Sequence, residues 1–308
     1  MGTGKTAIII HTATALFLDG KITGVLVVAP KGNYRNWKRE FEIHQQRDIP
    51  REISVWSASA RAEDRVLLAR GLTKEPPELH RLKVCLMNVE AFSTRKGLEH
   101  AQFFLDAHDA MMVVDESTTI KNPKALRTKA LLKLSRFAKY RRILTGSPIT
   151  NSPLDIFSQT EFLERKLLGF GSYFAFRARY AKLEERINHS NGRRFKEVKG
   201  YRRLDELQEK LDPFSIRVLK VDCLDLPEKI YMKREVEMSK EQKSAYDMMS
   251  DHALAMLQGH VVTAPEVITQ LLRLHQICCG HLTDDGETMT FPHKRIDTLL
   301  EVLDEVEG

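Results

Sequence analysis

The chain begins with a glycine-rich run that belongs to few folds. Residues 1–6 read Met-Gly-Thr-Gly-Lys-Thr, which is the second half of the phosphate-binding pattern G-x-x-x-x-G-K-[ST]. The first glycine of that pattern would lie upstream of residue 1, as would the buried strand that normally precedes such a loop. We therefore expect that the natural reading frame begins earlier or that the sequence is a fragment.

The residues of such a loop bind phosphate groups and a metal ion. Backbone N–H groups in such a loop converge on phosphate oxygens, and the following helix directs its positive end at them. A lysine and a threonine complete the cradle and hold Mg²⁺. The candidate phosphate-binding residues are Gly2, Thr3, Gly4, Lys5 and Thr6. The alternative is an ordinary glycine turn before a helix.

The residues after the loop favour a nucleotide-binding α/β unit. The apolar residues 7–18 predict a helix that ends at Gly20, and residues 24–29 predict a fully buried strand. Further short strands are predicted at 53–56, 84–87, 111–114 and 142–144. Helix candidates lie between these strands, so the sequence predicts an α/β fold with a parallel sheet.

Two adjacent carboxylates follow the predicted strand 111–114. Ligands bind at the carboxyl ends of strands in open parallel sheets, which is where Asp115 and Glu116 would lie. In phosphoryl transfer to water, one carboxylate orders the Mg²⁺ shell and the other orients the attacking water. An acidic pair can also cap a helix. Together with Lys5 and Thr6, the pair predicts a catalytic site.

Composition limits the class of protein. The 308 residues, 42% of them hydrophobic, suffice for one large α/β domain or two modest ones. No run approaches the ~20 apolar residues of a membrane span, and we expect an unexported, cytoplasmic protein from a bacterial or phage-like setting. Cysteines are few, and the adjacent Cys278 and Cys279 lack the spacing of a zinc site, so we expect no zinc.

Positive charge is concentrated in two segments. The formal net charge is +6, residues 121–142 contain nine Lys or Arg and no acidic residue, and residues 164–203 contain twelve basic and four acidic residues. Such segments either contact nucleic-acid phosphates or form a solvated helix surface. Charge alone leaves both interpretations open.

Beyond these local patterns, the chain resembles the first RecA-like lobe of Swi/Snf-type DNA translocases, in the DEAD/DEAH-like helicase superfamily. The similar blocks are residues 1–6 (motif I), 27–31 with Asn36-Trp37 and Glu40-Phe41 (motif Ia and the next helix), 88–90 (after motif Ib), 115–118 (motif II), 144–151 (motif III), 214–229 (the link between lobes), 238–246 and 270–278. The resemblance spans nearly the whole chain, and residues 144–151 and 270–278 are its most specific parts.

The resemblance implies a parallel RecA-like sheet flanked by helices, and ATP hydrolysis with Mg²⁺ coupled to movement along double-stranded DNA. It assigns phosphate and metal binding to Gly2, Gly4, Lys5, Thr6 and Asp115, and catalysis to Lys5, Asp115 and Glu116. The residues that it assigns to coupling are Thr145, Gly146 and Ser147. Contacts with the DNA backbone are assigned to Pro30, Lys31 and Asn88. Further protein subunits are possible partners. It also favours DNA contact by the basic segment 164–203, where the family has a helical protrusion.

The expected organisation is a first RecA-like lobe over residues 1–165, a basic helical protrusion over 166–225, and a link with the start of a second lobe over 226–308. Motif II departs from the family pattern, because Ser117 and Thr118 stand where Ala or Gly and His are usual. The family supplies an arginine finger from the second lobe, and such a residue is worth ~10³ to 10⁵ in rate. We therefore expect this chain alone to be nearly inactive.

Two alternatives remain open on the sequence. A motor subunit of a restriction or repair helicase system would carry the same motifs. A non-catalytic DNA-binding module would keep the lobe and bind DNA regardless of ATP.

Overall fold

A computed structural model of the chain describes residues 2–73, 81–187, 192, 194–223, 225, 230–259, 264–284 and 287–307. The chain divides into two units, Met1–Asp225 and Leu226–Gly308. Within the described ranges, none of the helices combines the length and the apolar character that crossing a bilayer requires.

A five-stranded parallel sheet forms the centre of the first unit. Its strands are β1 (Gly24–Val28), β2 (Arg51–Val55), β3 (Leu82–Met87), β4 (Ala110–Asp115) and β5 (Tyr140–Leu144). Their order across the sheet is β2-β3-β1-β4-β5, and all four neighbouring pairs are parallel. The predicted α/β class and the five predicted strands are thus confirmed, with ends that differ by at most two residues.

Helices connect the strands and cover both faces of the sheet. They are α1 (Lys5–Leu18), α2 (Tyr34–His44), α3 (Ala62–Gly71), α4 (Arg95–Ala107), α5 (Leu126–Leu134) and α6 (Ile156–Leu163). On β1, Leu26 and Val28 belong to one apolar cluster, whereas Val25 and Val27 belong to the other. A strand buried on both faces has no polar side, which is why its sequence is a continuous apolar run.

A smaller cluster lies beyond the sheet. It joins α7 (Tyr173–Tyr180) to α8 (Leu204–Leu211), with Phe176 and Tyr180 fully buried. Between these helices, β6 (Ala181–Ile187) and β7 (Arg194–Tyr201) pair as an antiparallel hairpin. The segment predicted to be helical therefore contains helices and, in addition, a hairpin that the sequence analysis did not anticipate. Charged residues are consecutive at 184–186 and 196–197, which interrupts the apolar/polar alternation that marks a half-buried strand.

The second unit contains three helices and a short hairpin among its described residues. They are α10 (Lys240–Gly259), α11 (Ala264–Cys278), β8 (His281–Asp284), β9 (Glu287–Thr290) and α12 (Arg295–Glu307), after the one-turn α9 (Lys220–Cys223) of the first unit. A reciprocal capping pair starts α10, because Gln242 N donates to Ser239 Oγ and Ser239 N donates to Gln242 Oε1, both at 3.1 Å. Gln242 Nε2 also donates to Ile277 O at 2.9 Å, which ties α10 to α11.

Candidate functional site

One edge of the parallel sheet collects most of the candidate residues. The carboxyl ends of parallel strands lie at the same edge, so Pro30, Asn88, Asp115 and Thr145 leave the sheet on one side. Helix α1 is 14 residues long, about 21 Å, and its last turn leads directly into the amino end of β1. Its first residues therefore lie toward the carboxyl edge as well.

The loop before α1 depends on its two glycines. Gly2 and Gly4 have φ values of +83° and +76°, a left-handed region that costs other residues energy. A Cβ atom on Gly4 would have no heavy atom within 4 Å, so open space adjoins the loop. Within the described part of the chain, no side chain caps α1 at Gly4. The first N–H groups of the helix are consequently available to an anion such as a phosphate.

Asp115 is held by three hydrogen bonds from the protein. Its Oδ2 atom accepts from Trp37 Nε1 at 3.0 Å and from Asn33 Nδ2 at 3.4 Å, while Glu116 N donates to Oδ1 at 3.0 Å. The residue is 8% exposed. These bonds fix the direction of the carboxylate at the end of β4. Sequence reasoning did not assign Trp37 or Asn33 to the site.

Glu116 adopts a strained backbone conformation. Its φ and ψ of 50° and 59° are left-handed, which is uncommon for a residue other than glycine and occurs often at functional sites. Its side chain is half-buried and does not cap the short turn Ser117–Ile120 that follows. Helix capping therefore does not explain this carboxylate.

The predicted coupling loop after β5 is organised by Asp155. Ser147 N donates to Thr145 Oγ1 at 3.1 Å, and Ser147 Oγ donates to Ile149 O at 2.9 Å. The Asp155 Oδ2 atom accepts from the N–H groups of Thr150 and Asn151 at 3.3 Å and 3.0 Å. Burial alone would raise the pKa of Asp155, but hydrogen bonds from residues 150–152 outweigh it and hold the pKa below its ordinary value.

The candidate DNA-contact residues lie on the loops after β1 and β3. Lys31 is exposed at the start of a short turn. Asn88 Nδ2 donates to Glu90 Oε2 at 2.7 Å, which orients its amide at the start of the turn Val89–Ser93. Their contact with DNA stays a prediction.

Several cations of the basic segment 121–142 have structural partners. Arg141 donates to the carbonyl oxygens of Ser135, Ala138 and Leu163, and Lys139 Nζ lies 3.5 Å from Asp109 Oδ2. The exposed side chains of the segment without an ion pair among the described residues include Lys124, Lys129, Lys133, Arg136 and Arg142. We call these five exposed residues the basic surface.

Some basic side chains of the hairpin in segment 164–203 have acidic partners. Arg186 Nε lies 2.7 Å from Glu197 Oε2, and Lys199 Nζ lies 3.4 Å from Glu184 Oε2. These pairs leave the net charge of the segment unchanged, but they occupy two of its twelve basic side chains.

The donor atoms at the sheet edge suit a hydrated Mg²⁺ bound to a polyphosphate. Carboxylate and hydroxyl oxygens, as in Asp115 and Thr6, are ligands that Mg²⁺ accepts together with phosphate oxygens. The glycine loop lies at the start of α1, and the acidic pair lies at the end of β4, the strand that pairs with β1. This fold and site define a P-loop nucleotide-binding lobe of RecA-like type.

Comparison with known families specifies this class further. The SNF2-related domain matches residues 1–282, so the chain belongs to the SNF2-related family. Two similar curated proteins are the helicase-like transcription factor of Mus musculus, 25% identical over 89% of this chain, and the ATP-dependent helicase MG018 of Mycoplasma genitalium, 26% identical over 94%. The chain spans only 26% and 25% of their respective lengths.

A solved structure supports the same fold. The SWI2/SNF2 ATPase core of Sulfolobus solfataricus, determined in complex with double-stranded DNA, aligns with 100% of this chain and 59% of its own, with a TM-score of 0.52 and 24% sequence identity. At this identity the match bears on the fold alone. The predicted Swi/Snf-type recognition and the RecA-like α/β fold are confirmed.

Proposed function

We propose that this chain is the ATP-binding part of an ATP-dependent double-stranded DNA translocase of Swi/Snf type. The observation that carries the proposal is the carboxylate pair Asp115–Glu116 at the carboxyl edge of the sheet, with Asp115 oriented by Trp37 and Asn33. Membership in the SNF2-related family supports it. So do the names of the relatives, which are helicases and helicase-like factors.

Each side chain has a distinct role in the proposed reaction. The N–H groups of residues 2–6 and the Lys5 ammonium would bind the phosphates of ATP. Thr6 and Asp115 would hold Mg²⁺, which when bound neutralises charge on the phosphate oxygens. Glu116 would accept a hydrogen bond from the attacking water and orient it in line with the leaving group. A carboxylate in this role needs a fixed backbone, and the short turn after it supplies one.

DNA contact and coupling are finer parts of the same proposal. Pro30, Lys31 and Asn88 would contact the DNA backbone, and Thr145, Gly146 and Ser147 would couple that contact to the nucleotide site. The proximity of these loops at one sheet edge supports this assignment. We also propose that full activity needs a second lobe carrying the arginine finger, since this chain matches only 26% and 25% of the length of the relatives.

The test compares ATP hydrolysis with and without duplex DNA, in this chain and in a chain extended at both ends. Lys5→Ala and Glu116→Gln are made in the extended chain, with Lys38→Ala and Glu63→Gln at exposed positions of α2 and α3 as matched controls. We expect hydrolysis in the extended chain, stimulation by DNA, and loss in the two site variants only.

Other outcomes separate the alternatives. DNA binding that ignores ATP, without hydrolysis in any of these proteins, would indicate a non-catalytic DNA-binding module. Hydrolysis that survives both Lys5→Ala and Glu116→Gln would reject the assigned site. A motor of a restriction or repair system would give the same result as the leading proposal, and a nuclease fused or encoded beside it would identify that system.

A further inference from the structure

A buried glutamine outside the predicted motifs joins two segments of the candidate site. Gln159, on α6, is fully buried. Its Oε1 accepts from Ser117 Oγ at 2.5 Å, and its Nε2 donates to Pro148 O at 2.7 Å and to Asp155 O at 2.9 Å. The carboxamide therefore spans from the residue after Glu116 to the loop after β5.

The orientation of this amide is set by its partners. Pro148 O and Asp155 O are carbonyl oxygens and can only accept, so the NH₂ group of Gln159 must face them. Its oxygen then faces Ser117, whose hydroxyl donates. Each polar atom of the bridge is satisfied, and reversing the amide would place oxygen against two carbonyls. The two segments are consequently held in one relative arrangement.

A second contact connects the same two segments. Lys121 Nζ donates to Thr150 Oγ1 at 2.5 Å and lies 3.8 Å from Asp155 Oδ2. Lys121 follows the short turn Ser117–Ile120, and Thr150 lies two residues after Pro148 in the loop between β5 and Pro153. The segment 117–121 is thus connected to the loop at two points: Ser117 reaches Pro148 through Gln159, and Lys121 bonds Thr150 directly.

The two contacts differ in their surroundings. Lys121 and Thr150 are partly or fully exposed, where an ion pair or hydrogen bond contributes little. Ser117 and Gln159 are fully excluded from solvent, where an unpartnered polar atom is costly. A shift of the segment that carries Glu116 would break buried hydrogen bonds unless the loop moved with it.

We propose that Gln159 is a positioning residue that makes the loop 145–150 and the segment of Glu116 move as one element. This inference rests on the proposed function for its biological meaning, because the nucleotide would act at Glu116 and DNA near the loop. Packing alone does not require a glutamine here, since Met would fill a similar volume. The specific contribution of Gln159 is the set of hydrogen bonds to two separate segments.

Amide hydrogen exchange of the full chain tests the bridge without nucleotide. Gln159→Met keeps the volume and removes the hydrogen bonds. Thr160→Val is the matched control, because the Thr160 hydroxyl is equally buried but bonds Ile156 O and Phe157 O within α6. We expect Gln159→Met to raise exchange at residues 116–121 and 145–152 roughly fivefold or more, and Thr160→Val to leave both segments unchanged.

Equal effects of the two variants, or a change in only one segment, would overturn the proposal. Ser117→Ala provides a second route if Gln159→Met does not fold. It removes only the bond at Gln159 Oε1, so it should raise exchange at residues 116–121 and leave the bond to Pro148 O in place. The double variant Ser117→Ala, Gln159→Met should add nothing at residues 116–121, because the same bond is already lost.

A nucleotide arm separates this proposal from the proposed function. With Mg²⁺ and a slowly hydrolysed ATP analogue, wild-type chain should gain protection at residues 2–8 and change exchange at 145–152. Gln159→Met should keep the first change and lose the second. Persistence of the second change would overturn the positioning role. Absence of protection at residues 2–8 in the wild type would instead reject the proposed function. The exchange experiment without nucleotide would still test whether Gln159 connects the two segments.

Discussion

The indole Nε1 of Trp37 donates a hydrogen bond to the Oδ2 atom of Asp115 over 3.0 Å, across 78 residues of sequence. This contact connects the helix after β1 with the carboxylate at the end of β4. A change in the tilt of α2 would therefore alter the direction of a carboxylate proposed to hold Mg²⁺. The loop that carries the candidate DNA contact Lys31 leads directly into the same helix.

Trp37→Phe should destabilise the fold, because it keeps an aromatic ring but removes a buried hydrogen bond. We expect the free energy of unfolding to fall by about 1.5–3 kcal/mol, the range for hydrogen bonds to charged groups, as measured by urea denaturation. Tyr34→Phe on the same helix is the control, since the buried Tyr34 hydroxyl has no partner among the described residues. Equal stability of the two variants would contradict the importance of the bond.

Gly97→Ala should also destabilise the first unit, for steric reasons. A Cβ on Gly97 would lie 2.2 Å from the carbonyl oxygen of Ala91, so α4 must move away from the turn that follows Asn88. Overpacking of this kind costs about 1–3 kcal/mol, and a thermal melt should show it. Gly171→Ala, which meets no atom within 4 Å, should leave the melting temperature nearly unchanged.

Asp155→Asn should lower stability in a pH-dependent manner. The pKa of Asp155 is held below its ordinary value of 3.8, so its stabilising effect is fully present above that value and is lost as pH falls through the folded-state pKa. We expect a loss of about 1 kcal/mol near pH 7, typical of a lost cap. Urea titrations from pH 7 to pH 3 should show the gap between wild type and variant shrinking below about pH 4. A gap that widened on acidification would contradict this account.

Glu116→Asn separates stability from catalysis. Asn tolerates the left-handed backbone of residue 116 better than Glu does, so the variant should gain up to about 1 kcal/mol of unfolding free energy. Under the proposed function the same variant should lose ATP hydrolysis in the extended chain. A destabilised variant would show that the Glu116 side chain contributes more to folding than its backbone strain costs.

The two residues of the basic surface that lie on α5 can be tested through the salt dependence of DNA binding. Lys129→Glu with Lys133→Glu should weaken duplex binding and reduce the slope of log K against log salt by about 2, since each phosphate contact contributes about 0.9. Lys233→Glu with Lys240→Glu makes the same charge change at exposed positions of the second unit. Identical slopes for both double variants would assign the effect to net charge.

Local patterns predicted the sheet well and the contacts of the site poorly. The strands around Val27 and Val113 are continuous apolar runs, which one segment of sequence reveals. The partners of Asp115 are not local, since Trp37 and Asn33 meet it only after the strands pair. The one available signal was the indole N–H of a tryptophan on an apolar helix face, which needs an acceptor when buried.

The same limitation explains two other misses. Gln159 stands between Ser158 and Thr160 on α6, and no local pattern indicates that its partners are 42 and 11 residues away. The charge count of residues 121–142 treated Arg141 as a surface cation, although its guanidinium bonds three carbonyl oxygens. Counting charge gives no information on which side chains point inward.

Because β1 is buried on both faces, the sizes of its side chains must determine its register with the neighbouring strands. Since the residues on both of its faces are apolar, a one-residue shift in register would bury no polar side chain and would cost no polar desolvation energy. The sizes of Val25, Leu26, Val27 and Val28 must select the alignment instead. Ala29 N still donates to Met87 O at 2.9 Å, and Pro30, which lacks an N–H, then stops the ladder. A substitution that changes side-chain volume in the middle of β1 would thus shift the start of the loop that carries Lys31, although the substituted residue touches no ligand.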